Sequence, residues 1–112
     1  VIDLDRGAIE TIPERWRGEV AFIAREAVSN ALRHAGAKRV VVRLATVGVE
    51  RRLEIQDDGA GFDERAERRG FGLLTMTRRA AQVGGVLTIQ TAPGKGTLVQ
   101  LALPATVEHA HG

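Results

Sequence analysis

Four short clusters in this 112-residue chain carry groups able to bind or move charge. The first is Glu26, Asn30, Arg33 and His34, spaced i, i+4, i+7 and i+8. At about 100° per residue they form one polar stripe beside the apolar positions Val20, Ile23, Ala24, Ala27 and Ala31, not opposite them. A stripe so placed looks into a half-buried cleft, though a solvated flank gives the same pattern. Asn30 calls for a compensating role, because Asn competes for backbone bonds in a helix interior. The second cluster is Asp57-Asp58-Gly59-Ala60-Gly61. Asp57 is in phase with Leu53 and Ile55, so strand alternation turns its carboxylate to the core side, where an ionised group needs hydrogen bonds. Asp-Asp-Gly is also ordinary turn chemistry. The third cluster, Gly70-Phe71-Gly72-Leu73, directly precedes a helix start. Its glycines permit close backbone approach, and free helix-terminal amides attract phosphate. No strand feeds it and no Lys-Ser/Thr follows, so it is neither a dinucleotide fingerprint nor a Walker loop. The fourth, Gly94-Lys95-Gly96-Thr97, reads alone as a hairpin turn. Thr97 is in phase with Val99, Leu101 and Leu103, however. Asp57 and Thr97 therefore end two inward-facing rows, which suits a pocket that reads one flat, polar ligand edge.

The elements that must position these groups follow from periodicity. Residues 1–5 read as a short edge strand. Thr11 and Glu14 have capping-box spacing, and Pro13 suits a first helical turn. A helical pattern then runs to about Ala35, ended by Gly36. Arg39 to Val47 reads as a strand with Val40, Val42 and Leu44 on one side. Gly48 marks a hairpin, and Arg52 to Asp57 forms the partner strand. Residues 58–72 are glycine-punctuated and charged, with little to anchor them, and are expected to move. A second helix covers Leu73 to Val83, followed by strands Val86 to Thr91 and Thr97 to Leu103. This order predicts an α+β fold, a two-layer sandwich with helices on one face of a mixed, mostly antiparallel sheet of about five strands.

Composition bounds the function. One domain is expected across 1–112, with a core at about 13–104 and a frayed tail at 105–112. Without cysteine, disulfides and thiolate zinc sites are excluded. No apolar run approaches the roughly 20 residues of a membrane span, so no membrane contact by this domain is expected. Sixteen basic residues interleave with fourteen acidic ones, for a net charge of +2. That balance argues against a nucleic-acid partner. The chain opens on Val1 rather than Met, the mark expected of a segment of something longer.

Taken together and in order, Arg25-Glu26-Ala27-Val28-Ser29-Asn30-Ala31-Leu32-Arg33-His34-Ala35, Asp57-Asp58-Gly59-Ala60-Gly61-Phe62, Gly70-Phe71-Gly72-Leu73 and Gly94-Lys95-Gly96-Thr97 resemble a known set. They look like the N, G1, G2 and threonine-glycine boxes of the ATP-binding domain of bacterial two-component sensor histidine kinases. These are GHKL-superfamily proteins with the Bergerat fold. The wording of the first box and the short lid resemble the branch that includes nitrate- and membrane-fluidity-sensing kinases. The resemblance implies ATP and Mg²⁺ as cofactors. It implies that Asp57 accepts the adenine amine, Gly59 and Gly61 turn beneath the base, and Asn30 holds Mg²⁺ with Glu26 beside it. Arg33 would pair with phosphate, Gly70 and Gly72 would hinge a lid over residues 58–72 and offer amides to the phosphates, and Leu73 would bind the nucleotide beside them. Gly96 and Thr97 would complete the adenine side, Thr97 sharing a water or hydrogen bond with Asp57. His34 would be a packing or ribose-side residue. The implied activity is transfer of the γ-phosphate to a histidine on a separate dimerisation domain, with a response regulator downstream and a cytoplasmic location. An anti-sigma-factor serine kinase of the same superfamily, or an ATP-gated module without transferase activity, shares much of the pattern. Two features depart from the branch. Thr75-Met76-Thr77-Arg78-Arg79 stands where it usually has Gly-Met-Arg-Glu-Arg, and no segment carries the phosphoacceptor box.

Overall fold

A computed structural model describes residues 2–33, 36–61 and 72–104. Within them the chain forms β1 (Ile2–Leu4), α1 (Arg6–Thr11), α2 (Glu14–Arg33), β2 (Val40–Val47), β3 (Glu50–Asp57), α3 (Leu73–Gln82), β4 (Val86–Thr91) and β5 (Thr97–Pro104). The strands make one sheet in the order β1-β2-β3-β5-β4. Only the edge strand β1 is parallel to its neighbour, and every other pair is antiparallel. This is the expected mixed α+β sandwich.

Alternation builds the helix-facing side. Leu53 and Ile55 of β3, and Val99, Leu101 and Leu103 of β5, are buried, and α2 and α3 cover them with Val20, Ile23, Ala27, Leu73, Met76 and Ala80. Arg43, Gln56 and Thr88 on the other face are exposed. Burying each large aliphatic side chain contributes about 1.5–3 kcal/mol. That seam is what fixes the helices over the sheet.

Two local expectations need correction. Thr11 does not cap α2. It is the last residue of an additional short helix, α1, and its hydroxyl donates to the Ala8 carbonyl at 2.8 Å. Pro13 lies just before α2 instead of inside its first turn. Asp5 caps α1, its Oδ1 accepting from the Gly7 amide at 2.9 Å. Asp5 competes well for this cap because its carboxylate satisfies the otherwise unpaired first amides. The third strand also begins earlier than expected, at Glu50, which brings Arg51 into phase with Leu53. Arg51 is 2% exposed, and its guanidinium donates to the carbonyls of Thr11 (2.7 Å) and Pro104 (2.8 Å). Gly48, at φ 61°, turns the β2–β3 hairpin as the sequence suggests.

Candidate functional site

The site begins at one end of the sheet. Val40, Asp57, Thr97 and Thr91 lie in a single row across β2, β3, β5 and β4. The half-buried Asp57 carboxylate accepts a hydrogen bond from the Gly59 amide at 2.8 Å. Burial pushes its pKa up from the ordinary 3.8, and the nearby Asp58 charge adds to that rise. The amides of Gly59 and Thr97 pull the other way. An acceptor-only group is thus held in a partly dry place, with capacity left for a donor from a ligand.

Thr97 is buried as its phase predicts. Its hydroxyl shares a 2.9 Å hydrogen bond with the Thr91 hydroxyl, while its backbone N–H is the group facing Asp57. Asp58 does a different job. Alternation turns it away from Asp57, and its Oδ1 accepts from the amides of Lys38 and Arg39, both at 2.9 Å. Those amides, Arg39's first, hold its carboxyl below the ordinary value. Asp58 therefore latches the entry to β2 onto the exit from β3. Sequence reasoning passed over it, although the period-2 pattern already separated it from its neighbour.

Glycines let the two turns close on each other. Gly61 (φ 67°) has no room for a Cβ, which would fall on the Ala92 carbonyl. A Cβ on Gly96 (φ 73°) would fall on the carbonyl of Asp57 itself. The Gly94 amide donates to the Ala60 carbonyl. Residues 57–61 and 92–97 thus form one backbone-to-backbone unit around Asp57. A cleft of about 330 Å³ opens at this end of the sheet, lined by Asp57, Thr97 and Thr91 together with Gln56, Lys95 and Leu98. It reaches toward the sheet's outer face, and no residue of α2 lines it.

The polar stripe of α2 is the other expected part of the site. β2 follows α2 in the chain, and its first residue, Val40, pairs with Asp57. Glu26 and Asn30, one turn apart, are half-buried, and Arg33 is exposed with its Nε donating to the Ser29 hydroxyl at 2.7 Å. Glu26 Oε2 lies 3.5 Å from where a Cβ on Gly72 would stand. Gly72, at φ 65°, precedes α3 and offers no side-chain cap to that helix's first amides. Two clusters 46 positions apart in the chain therefore meet here. Leu73, expected at the ligand, packs into the core at 4% exposure. Gly70 and His34 lie outside the described residues, as does most of the expected lid.

Among the described residues no three His, Cys, Asp or Glu side chains gather to hold a metal. Glu26 and Asn30 supply two hard oxygens a turn apart. Such a pair fits a cation that keeps several waters and shares its remaining positions with phosphate oxygens, as Mg²⁺ does. No helix among the described residues is long and apolar enough to cross a membrane.

Comparison with known proteins gives the family and the fold. A family model described as "Histidine kinase-, DNA gyrase B-, and HSP90-like ATPase" matches residues 18–107. An uncharacterised sensor-like histidine kinase of Chloroflexus aurantiacus is 44% identical over 95 residues, covering 78% of this chain and 16% of that protein. Sensor histidine kinase LiaS of Bacillus subtilis is 36% identical over 83 residues, covering 73% of this chain and 23% of LiaS. The chain thus spans less than a quarter of the length of these relatives. The histidine kinase domain of a blue-light activated kinase from Erythrobacter litoralis superimposes with a TM-score of 0.78 at 22% identity. That match covers 97% of this chain and 52% of the other, and it shows the same fold.

Proposed function

Because this chain belongs to the histidine kinase-, DNA gyrase B- and HSP90-like ATPases, we propose that it is the ATP-binding catalytic module of a two-component sensor histidine kinase. In this reading it presents Mg·ATP so that the γ-phosphate passes to a histidine on a helical dimerisation domain, and a response regulator receives the phosphoryl group afterwards. The observation that carries the reading is the half-buried Asp57 carboxylate, held at the sheet end where Gly61 and Gly96 pack backbone to backbone; the polar stripe of α2, with Glu26 beside Gly72, supports it. The kinase relatives support the choice of branch.

Each residue has a task that its chemistry can perform. The Asp57 carboxylate accepts the adenine amine, a donor that guanine replaces with a carbonyl. Gly61 and Gly96 keep Cβ atoms out of the turn, and Gly59, whose amide holds the Asp57 carboxylate, starts the turn beneath the base. Thr97 stiffens that edge through Thr91. Glu26 and Asn30 would hold Mg²⁺, which neutralises phosphate charge when bound. Arg33 is free to swing from Ser29 toward phosphate oxygens, and Gly72 stands at the start of α3. Phosphoryl transfer asks a protein mainly for positioning and charge compensation. These groups supply both, while the nucleophile comes from another domain. An ATP-consuming module of this kind works in the cytoplasm.

The test is the chemistry of the label. The chain alone should bind ATP without labelling itself. Mixed with its cognate dimerisation domain it should transfer ³²P slowly, because the effective concentration that a tether provides is lost. The product should be a phosphoramidate, labile in acid and stable in alkali. Label that survives acid and vanishes in alkali would identify a serine kinase instead. Nucleotide binding with no transfer to any partner would identify an ATP-gated module.

A further inference from the structure

We propose that Arg79 is a positioning residue: it sets the register of α3 along α2, and through that register it holds the start of α3 beside Glu26. The proposal rests on the ATP-binding reading above and adds to it a residue outside the four sequence boxes.

Arg79 lies near the far end of α3 from Gly72. Its Nη1 donates to Glu19 Oε1 of α2 at 2.7 Å, and its guanidinium stands 4.0 Å over the Phe22 ring. At the other end of the same helix pair, Gly72 meets the Glu26 carboxylate. The spacings match. Glu19 to Glu26 and Arg79 to Gly72 are both seven residues, or about 10.5 Å at 1.5 Å per residue. The two helices therefore run antiparallel with a clamp at one end and the Glu26–Gly72 approach at the other. A one-residue slip would shift that approach by about 1.5 Å and turn it by roughly 100°.

The apolar seam shares this task. Ile23, Ala27, Leu73, Met76 and Ala80 belong to the buried core that holds both helices over the sheet, and its methionine adapts to altered neighbours. Arg79 is directional by contrast, since it must satisfy a carboxylate and an aromatic face at once. Its side chain is 39% exposed and that of Glu19 is 23% exposed, so the pair adds little to global stability. Its consequence lies in where the first amides of α3 point. Those amides have no side-chain cap, and an anionic ligand there would sense their placement.

The experiment compares wild type, Arg79→Met, Arg79→Lys, Glu19→Gln and the Glu19→Gln/Arg79→Met double variant in the full-length protein. Mg·ATP and adenosine binding are measured separately, together with KM and kcat for phosphorylation and the amide resonances of residues 73–76 without nucleotide. Arg79→Met should weaken Mg·ATP binding and raise KM by roughly three- to tenfold, the worth of an exposed ion pair plus a cation–π contact. Adenosine affinity should not change, because Asp57 lies on the sheet. Arg79→Lys should recover part of the loss, and adding Glu19→Gln to Arg79→Met should cost nothing more. The nucleotide-free amides at the start of α3 should shift in Arg79→Met. Unchanged Mg·ATP affinity with unmoved amides, or equal losses for adenosine and Mg·ATP, would overturn the proposal. Failure of the wild type to bind Mg·ATP would instead overturn the nucleotide reading, with the amide shifts still deciding whether Arg79 sets the register.

Discussion

Replacing Asp57 with Asn tests the base-reading role while disturbing the fold very little. The carboxylate already accepts from the Gly59 amide at 2.8 Å and faces the Thr97 amide. An Asn can turn Oδ1 toward those backbone donors, which leaves its NH₂ group where the other oxygen stood. A donor then faces the adenine amine, also a donor. The loss is one hydrogen bond to a charged group in a partly desolvated pocket, about 1.5–3 kcal/mol or roughly ten- to a hundredfold in affinity. Asp57→Ala is less clean, because it strands the Gly59 amide at a further cost of about 1–3 kcal/mol of stability. Calorimetric titration with ATP and GTP should show wild type strongly preferring ATP. Asp57→Asn should lose that preference at a nearly unchanged melting temperature, and any residual binding should tilt toward the nucleotide that offers a carbonyl. Equal ATP and GTP affinity in the wild type, or undiminished ATP binding by folded Asp57→Asn, would refute the reasoning.

Asn30→Ala should fold and still bind nucleotide through the adenine, but calorimetry with and without Mg²⁺ should show that the ion no longer strengthens binding. Because burial raises the Asp57 pKa above 3.8, the protonated acid is favoured in the native state. The ionisation penalty is therefore absent below about pH 3.8 and grows as pH rises through the raised value. The ATP-binding advantage of wild type over Asp57→Asn should correspondingly shrink as pH falls, starting at a higher pH than the ordinary value would give, which titrations at stepped pH would follow. Arg51→Ala should lower stability by about 2–5 kcal/mol in denaturant melts, because it leaves a cavity and strands the carbonyls of Thr11 and Pro104.

Much of this protein is written locally. The polar stripe of α2 follows from 3.6-residue spacing, and the inward phase of Asp57 and Thr97 follows from strand alternation. Both periods are properties of a single segment, so neighbouring residues suffice to reveal them. The same rule made Asp57 and Asp58 face opposite ways, one toward the core and one onto the amides of Lys38 and Arg39. Partners far along the chain are a different matter. Arg51 looks like a surface charge until the ends of α1 and β5 close over it with two carbonyls. The inward phase of Thr97 is legible locally, but that β4 brings Thr91 to its hydroxyl is not. Thr11 and Glu14 have the spacing of a cap, yet a separate turn of helix docked beneath β2 claims Thr11 first. The Glu26–Gly72 approach joins segments whose mutual register is set by packing and by Arg79, not by any local period. Sequence determined which face each group would occupy. Tertiary structure decided which group it would meet there, because the energy of a hydrogen bond or ion pair depends on a partner that only the closed sheet and its helices supply.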